Sequence, residues 1–234
     1  MHGNGNGNGS KRSWWMPWTL WKKADEDLHS YRRLALQLHY DLAAGAEPRS
    51  AVVVTPDVTG LAARSSLNLA VSMAEQVGRR ILLVDACPQD PKLSEHFEAG
   101  AAYGLSEYLS APGAALDSYI AATTVANLSF LPAGTAAGSP VAPERIAQFL
   151  AEASARYDFV FLAGGSALNH PLSLAFAPHV GCVLLAVVEH QTSIDDLDAA
   201  QIALSHCKAR RVRLVLASVD RWSGRARANA ASQY

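Results

Sequence analysis

The sequence is short of three features that would point to particular classes of protein: cysteine, clustered positive charge and long apolar runs. Its 234 residues include three widely spaced cysteines and no C-x-x-C pair, so it predicts neither a disulfide nor a metal site. The formal net charge of -1 gives no reason to expect a nucleic-acid partner, because phosphate binding needs a clustered basic face. No apolar run approaches the roughly 20 residues that span a bilayer, and the first residues lack the apolar stretch of a signal peptide. We therefore expect a cytoplasmic protein.

The first 24 residues combine a flexible tail with a tryptophan-rich segment. Residues 1–10 are a polar Gly/Asn repeat that has too little apolar surface to order itself. The next segment has basic residues at both ends and contains Trp14, Trp15, Trp18 and Trp21. This segment can be a disordered tail, a membrane-interface anchor or a strip buried against a partner. Because tryptophan favours bilayer interfaces and binding hot spots, we favour a binding role.

After Ser50, short β-branched runs alternate with longer amphipathic stretches, a pattern typical of βαβ units with a parallel sheet. The predicted strands are 51–55, 80–85, 128–131, 159–162, 182–188 and 213–219. The predicted helices are 25–42, 62–77, 91–97, 105–109, 143–156, 171–176 and 193–208. Runs such as I-L-L-V are nearly continuous, as in strands covered by helices on both faces. The sequence thus predicts one α/β domain over residues 25–220 with a doubly wound, mostly parallel sheet, followed by a C-terminal tail at 221–234.

Several short segments recur in a fixed order between Tyr31 and Val219: Y-R-R-L, a strand ending in V-T-P, N-L-A, I-L-L-V-D-A, D-P-K-L, G-L-S-E-Y-L, N-L-S-F-L-P-A-G and Y-D-F-V. Together they resemble the bacterial tyrosine kinase family, cytoplasmic kinases that partner the polysaccharide co-polymerases of capsule and exopolysaccharide systems. The resemblance implies a P-loop NTPase-like fold. Its G-L-S-E-Y-L and N-L-S-F-L-P-A-G segments favour this family over the related chromosome-partitioning and division-site ATPases.

The phosphate-binding loop of that family needs glycines that expose backbone N–H groups, a lysine for the phosphates and a hydroxyl for Mg²⁺. Here the loop reads T-P-D-V-T-G-L-A-A-R-S-S. Counting back from Asn68 puts Leu61 at the last glycine, Ala62 at the lysine and Ala63 at the hydroxyl. Counting from Gly60 puts Leu61 at the lysine and Ala62 at the hydroxyl. The lysine is missing in either register.

Other positions of the expected nucleotide crevice have changed as well. Arg64 lies further along, where a helix would direct it away from the phosphates. Asp85 retains the first carboxylate of the family's second acidic motif, but Cys87 replaces the other one. The Walker B strand has Ala163 at its acidic position, and Asp158 lies at the wrong end of that strand to replace it. We therefore favour a structural, turn-capping role for Asp85 and expect apolar side chains to close the crevice.

The N-terminal helix of these kinases carries an E-x-x-R-x-x-R pattern for self-association, and the equivalent positions here are His29, Arg32 and Ala35. Tyr31 and Arg32 are the candidate interface residues on this helix, although a solvated face is the alternative for Arg32. The resemblance also implies a C-terminal tyrosine cluster, of which only Tyr234 is present.

The function that these features predict is a catalytically inactive, kinase-like scaffold or regulator of exopolysaccharide synthesis and export. It would partner a membrane polysaccharide co-polymerase at the inner face of the cytoplasmic membrane and need no cofactor. One alternative is a divergent kinase or ATPase that uses ATP and Mg²⁺ through rearranged groups such as Asp85 and Arg64. Another is a positioning regulator related to the partitioning ATPases.

Overall fold

A computed structural model of the protein describes residues 25–43, 48–57, 60–135, 141–220 and 225–229. The tryptophan-rich segment lies outside the described residues, so its predicted binding role stays a prediction. The helices are α1 (Asp25–Ala43), α2 (Leu61–Val77), α3 (Lys92–His96), α4 (Leu105–Ser110), α5 (Pro143–Arg156), α6 (Pro171–Phe176) and α7 (Ile194–His206). In these ranges, none of the helices combines the length and the apolar character that crossing a membrane requires.

The strands form one sheet. They are β1 (Ser50–Thr55), β2 (Ile81–Asp85), β3 (Ala121–Ala122), β4 (Leu128–Leu131), β5 (Phe159–Ser166), β6 (Cys182–Val188), β7 (Val212–Asp220) and β8 (Arg225–Asn229). Their order is β3-β4-β2-β5-β1-β6-β7-β8. The pairs from β4 to β7 are parallel, and β3 and β8 add antiparallel edges. The predicted fold class is confirmed.

Two strands were not predicted from sequence. The strand β3 is two residues long, and β8 lies in the segment that sequence alone assigns to a C-terminal tail. That segment reads R-A-R-A-N, which has no β-branched or aromatic residue to indicate a strand. It is held by antiparallel pairing with β7, the strand that precedes it, and its own residues carry no strand signal. The sheet therefore continues beyond residue 220.

Apolar residues cover both faces of the sheet, which explains the unbroken hydrophobic runs of its strands. In β1, Ala51 and Val53 face the core formed with α1 and α2, while Val52 and Val54 face the core formed with α5 and α6. Successive side chains of a strand point to opposite faces, so a strand buried on both sides must be apolar throughout. In such a strand, only the residues at the two ends are accessible to a ligand.

The helix α1 packs on α2, and this packing corrects one candidate interface residue. Tyr31 is only 2% exposed, and its hydroxyl is 3.0 Å from Ser65 Oγ on α2. It shares the buried face of α1 with Leu34 and Leu38, at the helical spacing visible in the sequence. Tyr31 therefore belongs to the core rather than to an exposed interface. Arg32 is half-buried beside it, and its Nε has no hydrogen-bond partner among the described residues.

Candidate functional site at the carboxyl edge of the sheet

The carboxyl ends of β1, β2 and β5 meet at one crevice, where ligands bind in sheets of this type. In the strand register, Ala163 of β5 lies opposite both Val53 of β1 and Asp85 of β2. The pairing of β1 with β5 shifts by one residue after Val53, so that Gly164 has no partner residue on β1. Ala163 thus lies at the centre of the crevice, at the position predicted from sequence.

The loop after β1 leads into α2 through Gly60, whose φ of 66° lies in the left-handed region that favours glycine. Leu61 begins the helix and turns into the hydrophobic core. Ala62 and Ala63 line the crevice. Arg64 is half-buried but does not line it, in agreement with the helical direction expected from sequence. The start of α2 therefore presents two methyl groups where the kinase family needs charge and hydroxyl.

Asp85 is buried, with 1% of its surface exposed, and its carboxylate is held by groups of the same chain. Oδ1 accepts from the N–H of Cys87 at 3.3 Å, and Oδ2 accepts from the N–H and the hydroxyl of Ser94, both at 2.8 Å. Ser94 Oγ also accepts from the N–H of Ala133 at 2.9 Å. Burial raises the pKa of Asp85 to about 6, although these hydrogen bonds oppose the rise. Asp85 therefore ties β2 to α3 and to the segment after β4.

Cys87 replaces the family's second carboxylate and pairs with a histidine that sequence does not single out. Its Sγ lies 3.4 Å from Nδ1 of His170, which also accepts from the N–H of Ser166 at 3.0 Å. Burial raises the pKa of the Cys87 thiol to about 12, which disfavours the thiolate form. Gly165 has a φ of 74°, and a Cβ there would lie within 3 Å of both side chains. The pair fills space beside Ala163.

Hydrogen bonds join the segments at the ends of β1 and β5. The Ser166 hydroxyl donates to the carbonyl of Pro56 at 3.0 Å, and the N–H of Ala167 donates to the carbonyl of Thr55 at 2.7 Å. Thr55 Oγ1 donates to the carbonyl of Asp57. The remaining cavity has a volume of about 20 Å³, which is space for about one water molecule. This small volume supports the expectation that the crevice is closed.

The charges that line the crevice are mainly negative. Asp57, Asp85 and Asp90 line it together with one cation, Lys92, whose Nζ lies 2.8 Å from Asp90 and 3.2 Å from Glu95. A nucleoside triphosphate is a polyanion and needs unpaired cations and N–H donors. The described residues of this crevice therefore do not fit MgATP in volume or in charge. Within the described ranges, no group of three His, Cys, Asp or Glu side chains has an arrangement that would hold a metal ion.

Asp158 lies at the opposite end of β5, as expected from sequence. Its Oδ2 accepts from the N–H of Arg80 at 2.9 Å, and the Arg80 guanidinium lies 3.6 Å away. These contacts lower the pKa of Asp158. The residue joins the amino ends of β2 and β5 and is remote from the crevice.

The two segments that favour the kinase resemblance pack against each other. Glu107 accepts from the N–H of Gly104 at 2.7 Å and from the N–H of Thr135 at 2.8 Å. A Cβ on Gly104 would lie 2.1 Å from the Pro132 carbonyl oxygen, and one on Gly134 would lie 2.2 Å from Glu107 Oε2. The glycines and the glutamate of G-L-S-E-Y-L and L-P-A-G are thus structural requirements of one joint.

Sequence reasoning missed Ser94 and His170. Ser94 directly follows the D-P-K-L segment and His170 lies in no motif, and a single serine or histidine carries no sequence signal of its own. The usable signal for His170 is its position shortly after β5, on the side of the sheet where ligands bind.

Comparison with solved structures places this architecture among tyrosine kinase domains. The kinase domain of Escherichia coli tyrosine kinase ETK matches with a TM-score of 0.72 and 20% identity over 88% of this chain and 79% of that one. The BceF tyrosine kinase domain matches with a TM-score of 0.64 and 25% identity over 80% and 76%. MinD from Aquifex aeolicus, a cell division protein, reaches 0.54 and 16% over 71% and 68%. No protein-family model and no curated protein sequence matches the chain. The chain has the fold of bacterial tyrosine kinase domains.

Proposed function

We propose that this protein is a catalytically inactive, tyrosine-kinase-like scaffold or regulator of exopolysaccharide synthesis and export. The observation that carries the proposal is the crevice, where Ala62, Ala63 and Ala163 surround a cavity of about 20 Å³. The fold and the motif order support a common origin with the kinases. The chemistry of the crevice supports a role that does not depend on nucleotide.

Magnitudes support the loss of nucleotide binding. A hydrogen bond to a charged group contributes about 1.5 to 3 kcal/mol. Losing a lysine, a hydroxyl and a Mg²⁺ carboxylate therefore removes about 5 to 8 kcal/mol, non-additivity aside. At about 1.4 kcal/mol per factor of ten, this is several decades of affinity. The carboxylates of Asp57 and Asp90 would add repulsion of the phosphates.

The alternative of a divergent, active enzyme depends on Asp85 and Arg64, and neither is well placed. Both oxygens of Asp85 accept hydrogen bonds from the same chain. Arg64 does not line the crevice. An enzyme that used these groups would have to open a hydrogen-bonded loop junction before it could admit a substrate.

In this proposal the binding function lies in the tryptophan-rich segment and the adjoining α1. The partner would be a polysaccharide co-polymerase at the inner face of the cytoplasmic membrane. Four indoles flanked by Lys11, Arg12, Lys22 and Lys23 suit either a protein groove or an anionic leaflet, where each basic residue adds about 1 kcal/mol. Self-association through Arg32 is a further possibility of the same kind.

A deletion strain complemented with variants tests the proposal. Replacing Trp14, Trp15, Trp18 and Trp21 by alanine should release the protein from the membrane fraction and reduce polymer export, while the purified variant keeps the thermal unfolding of the wild type. Co-purification with the co-polymerase that tolerates salt indicates packing on the protein. Binding to lipid vesicles that weakens with salt indicates adsorption to the leaflet.

The matched control is Lys92→Ala, which removes the cation of the crevice at an exposed site. A scaffold should support normal export with this variant, whereas an enzyme that binds a phosphate there should lose function. The proposal fails if Lys92→Ala abolishes export, or if the tryptophan variant remains on the membrane and exports normally.

A further inference from the structure

At the amino edge of the sheet, opposite the crevice, lies a groove of about 530 Å³. It is bounded by the loops before β1 and β7, the second half of α5 and the turn after α6. A volume of this size is within the usual range of small-molecule sites. It contrasts with the cavity of about 20 Å³ at the carboxyl edge, where sites in such sheets are expected.

The groove contains two arginines from separate loops, Arg49 before β1 and Arg210 before β7, and His179 lies in its wall. Neither arginine has an ion pair or a side-chain hydrogen bond among the described residues. The carboxylate of the groove is Asp158, which is already engaged by Arg80. Among the described residues, the groove therefore has two exposed arginines that no carboxylate pairs with.

The surroundings of the groove strengthen its positive potential. Burial lowers the pKa of His39, and Arg79 and Arg49 lower it further. Arg79 and Arg80 also help to lower the pKa of Asp158. Cations interact favourably with the free carbonyl groups at the ends of α2 and α7, which explains why arginines occur at this edge. It does not explain why two of them flank a groove without partners.

The remaining lining is partly apolar. Ala147, Leu150, Ala151 and Pro178 form a surface on the floor and wall, and Tyr157 adds an aromatic ring. A ligand that satisfies this groove has a compact anionic group at one end and an uncharged body at the other. A phosphate ester meets both demands, because its oxygens match the planar donor fork of arginine.

We propose that this groove binds a phosphate ester, with the phosphate between Arg49 and Arg210 and the organic body against the face of α5. The phosphate can belong to a soluble phosphoester or to the headgroup of a membrane lipid. This site is independent of the crevice and of the proposed scaffold function.

Three probes separate these sources: inorganic phosphate, glycerol phosphate, and phosphatidylcholine vesicles with and without phosphatidylglycerol. Binding is measured by calorimetry for the first two and by vesicle sedimentation for the third, with the full chain. Binding of glycerol phosphate identifies a soluble ligand class. Binding to phosphatidylglycerol vesicles alone, retained when Trp14, Trp15, Trp18 and Trp21 are alanine, identifies the lipid headgroup.

Arg49→Gln and Arg210→Gln should each weaken that binding about tenfold or more, since each removes a hydrogen bond to a charged group. Arg33→Gln, an exposed arginine on α1, is the matched control and should change nothing. Arg49→Lys and Arg210→Lys keep the charge but lose the fork, and should recover only part of the affinity. No binding of any probe overturns the proposal, and so does binding that the glutamine variants leave unchanged.

Discussion

Asp85 lies at a position that carries a carboxylate in the kinase pattern, but the hydrogen bonds around it give it a structural role. In the kinase pattern it belongs to a pair of carboxylates, but here Cys87 occupies the second position and Ser94 accounts for two of the hydrogen bonds to Asp85. A capping role was predictable from sequence, because Mg²⁺ partners were missing. The donors were not, since Ser94 lies nine residues away and the D-P-K-L segment before it does not indicate this contact.

Titration of Asp85 gives a prediction with a definite sign. Its folded pKa of about 6 lies above the ordinary value of 3.8, mainly because burial disfavours the charged form. Between these values the folded state keeps a proton that the unfolded chain has lost, so stability falls as pH rises through this window. Asp85→Asn cannot titrate. Its free energy of unfolding, measured in urea, should therefore rise relative to the wild type by about 2 kcal/mol from about pH 4 to about pH 7.

The control for this experiment is Asp198→Asn, which alters an exposed carboxylate on α7. Its difference from the wild type should stay constant over the same range. If the Asp85→Asn and wild-type curves run parallel between these two pH values, the pKa of Asp85 is not raised in the folded protein and the prediction is wrong.

At the scale of elements, most helices and strands were predictable because their signals are local. The strands β4 and β6, and the helices α5 and α6, lie where periodicity, β-branched runs and helix-start prolines place them. The strand β8 was not predictable, because it depends on pairing with β7. The role of Tyr31 was predictable from its spacing with Leu34 and Leu38, and assigning it to an interface gave the family resemblance too much weight.

The joint between the α4 start and the segment after β4 supplies a second prediction. Gly104→Ala would place a Cβ 2.1 Å from the backbone oxygen of Pro132, which also accepts the N–H of Leu105 at 2.8 Å. Either the backbone moves or this hydrogen bond is lost, so we expect a loss of about 2 kcal/mol or more in the free energy of unfolding. Chemical denaturation measures this loss.

Gly100→Ala is the matched substitution, because no atom lies within 4 Å of a Cβ at that position and its φ is not in the left-handed region. It should change stability by no more than about 0.5 kcal/mol. If the two substitutions have equal effects, the close approach of Gly104 to the Pro132 carbonyl is not the reason why this position requires glycine.

At the scale of the whole molecule, charge is segregated between the two edges of the sheet. Carboxylates gather at the carboxyl edge, where Asp57, Asp85 and Asp90 line the crevice and Asp195 and Asp196 begin α7. Arginines gather at the amino edge, before β1, β2 and β7. Helix dipoles favour this arrangement, because the helices that follow strands begin at the carboxyl edge. A kinase needs cations at its phosphate loop to offset the negative charge of this edge. In this chain, Ala62 and Ala63 contribute methyl groups there.

The overall architecture and the loss of the phosphate-binding lysine were readable from sequence, since both depend on the order and spacing of motifs. The hydrogen bonds at the crevice join loops about 110 residues apart, such as Ser166 with Pro56. The groove between Arg49 and Arg210 depends on segments that are still further apart in the sequence. Neither has a local signature, so both required the assembled structure.

The central claim, that the crevice does not hold nucleotide, is tested most directly by thermal unfolding of the full chain with millimolar MgATP. A ligand raises apparent stability only when its concentration approaches its dissociation constant. Measuring the Arg49→Gln, Arg210→Gln double variant in parallel excludes phosphate contacts at the amino-edge groove. We expect no change in the Tm of the double variant. A clear rise in its Tm with MgATP that Asp85→Ala abolishes would show that the crevice binds nucleotide and would contradict the account.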